Sequence, residues 1–204
     1  MNRRTALLAP ILALALAPLA ALPARAEPIP LAELSAYLNG LTTAEADFTQ
    51  INADGSISEG RLYIRRPGRV RFEYAPPDRS LVMAGGGQVA IFDAKSNQPP
   101  EQYPLRRTPL NLILAAEVDL GAEKMVVGHY EAQETTRVVA QDPESPEYGT
   151  IELIFSHDPV ALTSWVITDD LGNRTTIVLD RMVTGMDLPA SLFSITMEVE
   201  KRGG

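Results

Sequence analysis

The chain of 204 residues contains no cysteine. That excludes disulfides, thiolate metal sites, cysteine nucleophiles and lipid anchoring through cysteine. Positive charge is scarce: 18 Lys and Arg stand against 26 Asp and Glu, for a net charge of −8. So acidic a chain is a poor match for a phosphate backbone, and no nucleic-acid partner is expected. Catalytic signatures are missing too. There is no G-x-S-x-G elbow, no Walker loop, and no G-x-G-x-x-G between a strand and a helix. The two histidines, His129 and His157, have no partner at metal-ligand spacing. The acid pairs Asp169-Asp170 and Asp142/Glu144 fall in turns, where carboxylates cap or solvate. No metal, no cofactor and no enzymatic activity is expected.

The apolar residues that are present make up 45% of the chain, which excludes wholesale disorder and suffices for a real core. One run stands apart. Arg3 and Arg4 precede an apolar stretch from Ala6 to Leu22, broken by Pro10 and Pro18 and followed by Ala24-Arg25-Ala26. This is the pattern of a cleaved secretory signal over residues 1–26, too short and too proline-broken for a membrane span. The paired arginines leave the export route open. Removing Arg3, Arg4 and Arg25 leaves 15 basic against 26 acidic residues in 27–204, a net charge of −11.

Residues 27–204 read as one antiparallel unit. Leu31, Leu34, Leu38 and Leu41 recur at helical steps between Pro30 and Gly40. The period then changes to two, with Ala44, Ala46 and Phe48 alternating against Glu45, Asp47 and Thr49. Strands are expected at Arg61–Arg66, Arg69–Tyr74, Leu81–Ala84, Val89–Phe92 and Glu101–Leu105. Pro109–Ala116 reads as a short apolar helix, and six further strands follow, the last at Phe193–Val199. About ten strands at this spacing mean a barrel or a sandwich.

The most specific stretch runs Gly60-Arg61-Leu62-Tyr63-Ile64-Arg65-Arg66-Pro67-Gly68-Arg69-Val70-Arg71-Phe72-Glu73-Tyr74-Ala75-Pro76-Pro77, with Phe48-Thr49-Gln50 upstream. With Met83–Gly87, Val89–Asp93 and Leu188-Pro189-Ala190-Ser191-Leu192-Phe193 in order behind it, it resembles the LolA family of periplasmic outer-membrane lipoprotein carriers. Two departures stand out: Val70 replaces a commoner phenylalanine, and the tail after Phe193 is short. The resemblance implies a mainly β fold: an open, strongly curved antiparallel sheet, an incomplete barrel, with a helical lid over its concave apolar face. It implies a periplasmic carrier that takes the acyl chains of lipoproteins from an inner-membrane release ABC transporter and passes them to an outer-membrane acceptor. A one-to-one carrier of this kind implies a monomer. It also implies that Arg66, before Pro67, holds the lid shut; the alternative is a solvated charge at a strand end.

The candidates for the acyl-chain cavity are Phe48, Leu62, Ile64, Val70, Phe72 and Tyr74, together with Met83, Ile91, Phe92 and Trp165. Leu110, Ile113 and Leu114 are the candidates for the lid helix. Each has ordinary core packing as its alternative. Arg61, Arg65, Arg66, Arg69, Arg71 and Arg79 form a positive cluster, read either as a rim that meets headgroups or an acidic partner, or as a solvated strand face. A lipid-binding sensor or regulatory module on the same scaffold, and an exported enzyme, are the rival functions.

Overall fold

Eleven strands form one antiparallel sheet in the computed structural model, which describes residues 27–96, 98–122 and 125–203. The expected signal, residues 1–26, lies outside the described residues. The strands are β1 (Thr43–Ile51), β2 (Ile57–Arg65), β3 (Arg69–Tyr74), β4 (Leu81–Gly85), β5 (Gln88–Phe92), β6 (Glu101–Pro104), β7 (Val126–Ala132), β8 (Thr135–Gln141), β9 (Thr150–His157), β10 (Val160–Thr168) and β11 (Arg174–Thr184). The order β6-β5-β4-β3-β2-β1-β11-β10-β9-β8-β7 is a linear one, so β6 and β7 are free edges and the sheet does not close. Two meanders, β1–β6 and β7–β11, meet where β1 pairs with β11.

The sheet is sharply bent. Four strand intervals separate β3 from β10, about 19 Å in a flat sheet. Yet the Phe72 ring of β3 meets the Trp165 ring of β10 edge-on, with centroids 6.4 Å apart. Alternation sorts the faces. Val70 and Phe72 point into the concave side, while Arg69, Arg71 and Glu73 point out. Helix α1 (Leu31–Gly40) begins after Pro30 and buries Leu34 and Leu38 in the concave core. Helix α2 (Leu110–Leu114) adds Leu110, Ile113 and Leu114 to the same core, after the 3₁₀ turn Leu105–Arg107. Among the described residues no helix is long and apolar enough to cross a membrane.

The C-terminus overturns one expectation. Phe193–Val199 is not a strand. Ala190–Phe193 is a 3₁₀ turn, and helix α3 (Ile195–Gly203) follows it. The chain leaves β11 in the middle of the sheet and crosses the convex face, held by successive strands. Thr43 Oγ1 of β1 donates to Met186 O, 2.9 Å away; Arg65 of β2 donates to Leu188 O. Arg71 Nη1 of β3 donates to Leu192 O, 3.1 Å. Gly85 of β4 is where Phe193 comes closest: a Cβ there would stand 2.2 Å from Phe193 O. Helix α3 and its approach cover a second, convex core of Leu81, Met83, Ala90 and Phe92, against which Ile195 packs.

This explains much of the arginine cluster. Arg71 is buried, its guanidinium 3.1 and 3.2 Å from Glu198 Oε2 and 2.6 Å from Glu73 Oε1. Arg202, one turn beyond Glu198, bonds it at 2.8 Å and lies 4.9 Å over the Phe92 ring. Arg61 pairs with Glu45 and Asp47. Arg71 and Arg202 thus tie α3 to the convex face, while Arg61 stays a half-exposed strand charge with surface partners.

Two measurements test the docking of α3. Burial would raise the pKa of Glu198, but the hydrogen bond from Arg202 and the charge and hydrogen bonds of Arg71 outweigh it and hold the carboxyl below its ordinary 4.5. A carboxyl depressed in the folded state stabilises above its unfolded pKa, and that stability is lost as pH falls through the folded value. The protection factors of α3 amides are therefore expected to fall below about pH 4.5, ahead of those in the concave core. Glu198→Gln leaves Arg71 buried with only Glu73 as counter-charge and is expected to cost about 3 kcal/mol in urea unfolding. A loss below about 0.5 kcal/mol would contradict the buried pair.

Candidate functional site

The concave face is covered by two helices whose C-terminal ends converge on one side chain. Arg66 follows β2 in the turn before β3. Its Nη1 donates to Leu38 O at the end of α1. Its Nη2 donates to Ala115 O just past α2, 2.7 Å away, and to Asn39 Oδ1 at 3.2 Å. The last carbonyls of a helix lack intrahelical donors and carry partial negative charge, so a guanidinium is a fitting partner for both ends at once. Desolvation pulls the pKa of Arg66 below its usual value, and its buried Nε has no partner among the described residues. The clasp thus combines strong bonds with one unsatisfied donor, and both count in the balance between closed and open.

Other bonds knit the cover to itself. Asn39 Nδ2 donates to Val118 O and Asn39 Oδ1 accepts from Val118 N, each at 2.9 Å. Ser35 Oγ accepts from Leu120 N at 3.0 Å. Gly68 N donates to Leu114 O at 2.8 Å, holding α2 to the β2–β3 turn. At its other end α1 is held by β8 and its neighbours. Ile29 N donates to Thr136 Oγ1 (2.8 Å), and Ile29 O accepts from His129 Nε2 (2.9 Å). His157 lies beside Thr136 and pairs with Glu131 at 2.8 Å. Both histidines therefore have structural partners, and no cluster fit for a metal occurs among the described residues.

A cavity of about 450 Å³ lies on the concave side beside the start of α2, within the range of roughly 300–1,000 Å³ usual for small-molecule sites. It sits at the end of the concave face away from Arg66: Gln50, Tyr74 and Thr175 border it at strand ends opposite the β2–β3 turn. Its walls are mostly apolar and come from both meanders, with Phe72, Val82 and Val89 on one side and Trp165, Ile167 and Ile177 on the other. Arg107, Glu147, Asp169 and Asp170 mark its polar mouth, where Arg107 stacks 5.7 Å from the centre of the Tyr148 ring. Tyr74 OH donates to Gln50 Oε1 at 2.6 Å, and burial together with the charge of Asp78 pushes that hydroxyl's pKa up to about 12. It remains a neutral donor at any physiological pH.

The structure gathers Phe48, Leu62, Ile64, Val70, Phe72, Tyr74 and Trp165 on the concave side with Leu110, Ile113 and Leu114 of the lid. Of these, Phe72, Tyr74, Trp165 and Leu110 border the cavity; the others pack against the closed cover. Met83 and Phe92 are corrections. Met83 pairs with Arg71 and Phe92 with Leu81, so strand parity turns both to the convex core under α3. Ile91 keeps the parity of Val89 but is only half-buried and stands apart from the cavity wall. Val82, Val89, Ile167 and Ile177 were missed as wall residues; their signal was the same alternation once the register is known. Asn39 carried no signal in the sequence.

The result is an open, bent antiparallel sheet whose concave side carries an apolar cavity and a clasped pair of helices. Residues 39–196 match the family model described as outer membrane lipoprotein carrier protein LolA, and the chain belongs to the LolA family. Outer-membrane lipoprotein carrier proteins from Methylococcus capsulatus and Chromobacterium violaceum are similar. The first is 27% identical over 84% of this chain and 86% of its own length, the second 29% identical over 86% and 87%. Among solved structures, a DUF1329 family protein from Desulfovibrio piger is similar in fold. Its TM-score is 0.50 at 10% identity, over 82% of this chain and 95% of that one.

Loss of the clasp should be visible without any ligand. In Arg66→Leu, the amides of Leu38–Leu41 and Ala115–Val118 are expected to exchange at least about tenfold faster, a shift of about 1.4 kcal/mol in local opening. The strands of the sheet should keep their protection. Unchanged exchange at both helix ends would show that the clasp does not hold the cover.

Proposed function

We propose that this chain is a periplasmic lipoprotein carrier that shelters acyl chains between the bent sheet and its helical cover. The observation that carries the reading is the Arg66 clasp, which joins both cover helices on a concave face that also holds an apolar cavity. Family membership agrees with it. Arg66 is the lid-controlling residue. Phe72, Tyr74 and Trp165 form part of the closed cavity, and Leu110, Ile113 and Leu114 leave the concave face when the lid opens, enlarging it. Phe48, Leu62, Ile64 and Val70 then become wall.

The energetics suit carriage better than storage. Each CH₂ moved out of water contributes about 0.8 kcal/mol, so acyl chains bind without any catalytic group. In the empty state the lid's own leucines occupy the same apolar surface, and the clasp adds charge-assisted bonds. Ligand and lid therefore compete for one surface, which keeps binding reversible. The polar steps at either end of the journey are collection from an inner-membrane release ABC transporter and delivery to an outer-membrane acceptor. Export by a cleaved signal over residues 1–26 places the carrier between them, acting as a monomer.

The test uses a tripalmitoylated lipopeptide and purified protein. Wild type is expected to take it up and pass it to an acceptor. Val82→Phe, which projects a larger side chain into the cavity wall, is expected to weaken uptake by about tenfold with the far-ultraviolet circular dichroism unchanged. Arg66→Leu is expected to take up the lipopeptide but release it poorly, because the empty closed state has lost its compensating bonds. A wild-type protein that binds no acylated ligand would refute the carrier.

A further inference from the structure

Trp165 is the sole tryptophan of the chain. It lies in β10, paired with Leu153 on one side and Ile177 on the other, and it is 1% exposed. Its ring borders the cavity. Its indole N–H is sealed from solvent and has no acceptor among the described residues. Buried indole N–H groups usually find a partner, and a lone donor in an apolar site is costly to leave unmet.

The ring that carries this sealed donor borders the space where, on the reading above, an acyl chain is sheltered. A saturated hydrocarbon offers it nothing. An acyl chain does, because its first carbon is a carbonyl whose oxygen accepts a hydrogen bond. We propose that the Trp165 indole N–H anchors an ester or amide carbonyl of the bound chain, so the site recognises acyl-linked tails over ether-linked ones. The closed cover hides the donor; opening the cover presents it. The proposal rests on the carrier reading and adds to it a polar anchor within an otherwise apolar wall. Trp165 is here a specificity residue, distinct from the Arg66 clasp at the far end of the concave face.

A single tryptophan makes the test direct, since the ¹H–¹⁵N spectrum of the wild-type chain holds one indole cross-peak. It is titrated with monopalmitoylglycerol, an ester, and with 1-O-hexadecylglycerol, the ether with the same head and a tail of the same length. The ester is expected to bind more tightly and to move the indole proton downfield, the ether to leave it nearly in place. Trp165→Phe keeps an apolar ring and removes the donor. It is expected to weaken the ester by roughly five- to tenfold and leave the ether about unchanged. Binding of the ester with an unmoved indole peak would overturn the anchor alone and leave the N–H as a contact of the Phe72 ring. Equal losses for both lipids in Trp165→Phe would also overturn it. Binding of neither lipid to wild type, nor of the tripalmitoylated lipopeptide, would overturn the carrier reading beneath it.

Discussion

One guanidinium joins the carbonyl ends of the two helices that cover the sheet, beside the apolar side chains they bury beneath them. The sheet itself is bent but unclosed, so its concave apolar side must be covered by something that is not sheet. Helices α1 and α2 supply that cover, and both end at Arg66. The arrangement is asymmetric. At its start α1 is pinned through Ile29 to Thr136 and His129, whereas its end is held by Asn39 to Val118 and by a side chain, Arg66, that is partly desolvated and has an unpaired Nε. A cover fixed at one end and clasped at the other can swing without the sheet unfolding.

The two faces of the sheet divide the labour. The concave face carries the cavity and the helical cover. The convex face carries a fixed helix, held by Arg71, Glu198 and Arg202 and by the close approach of Phe193 to Gly85. That buried ion pair specifies where α3 docks more than it adds to stability, since a buried pair roughly repays its own desolvation. With α3 on its convex side, the β3–β5 wing is buried on both faces.

Much of this was legible in the residues. The alternation of Val70, Phe72 and Tyr74, the helical spacing of Leu31, Leu34 and Leu38, and the turn at Pro67-Gly68 each obey one local rule, and each fell where that rule put it. The assignments failed where two rules compete. In β4 and β5 both faces are buried, so Met83 and Phe92 read as cavity residues although register turns them outward. Phe193–Val199 alternates apolar and polar residues like a strand, and its helical state follows from docking on the convex core and from Glu198 meeting Arg71, 127 positions away. Arg71 itself looked like a solvated strand charge, because nothing local announces a distant carboxylate. Gly60 had its place in the motif, but its reason is packing: a Cβ there would stand 2.1 Å from Glu73 O and 2.8 Å from the Phe48 ring.

The central claim is that hydrocarbon tails occupy the concave side between the two meanders. A palmitoyl lipopeptide with a photoreactive diazirine in its chain, crosslinked to the wild-type protein and mapped by mass spectrometry, tests it most directly. The account predicts adducts on concave residues of both meanders, such as Phe72, Val89, Trp165 and Ile177, and on Leu110 of the cover. Adducts confined to the convex face around Phe92 and α3, or to the outer loops, would contradict it.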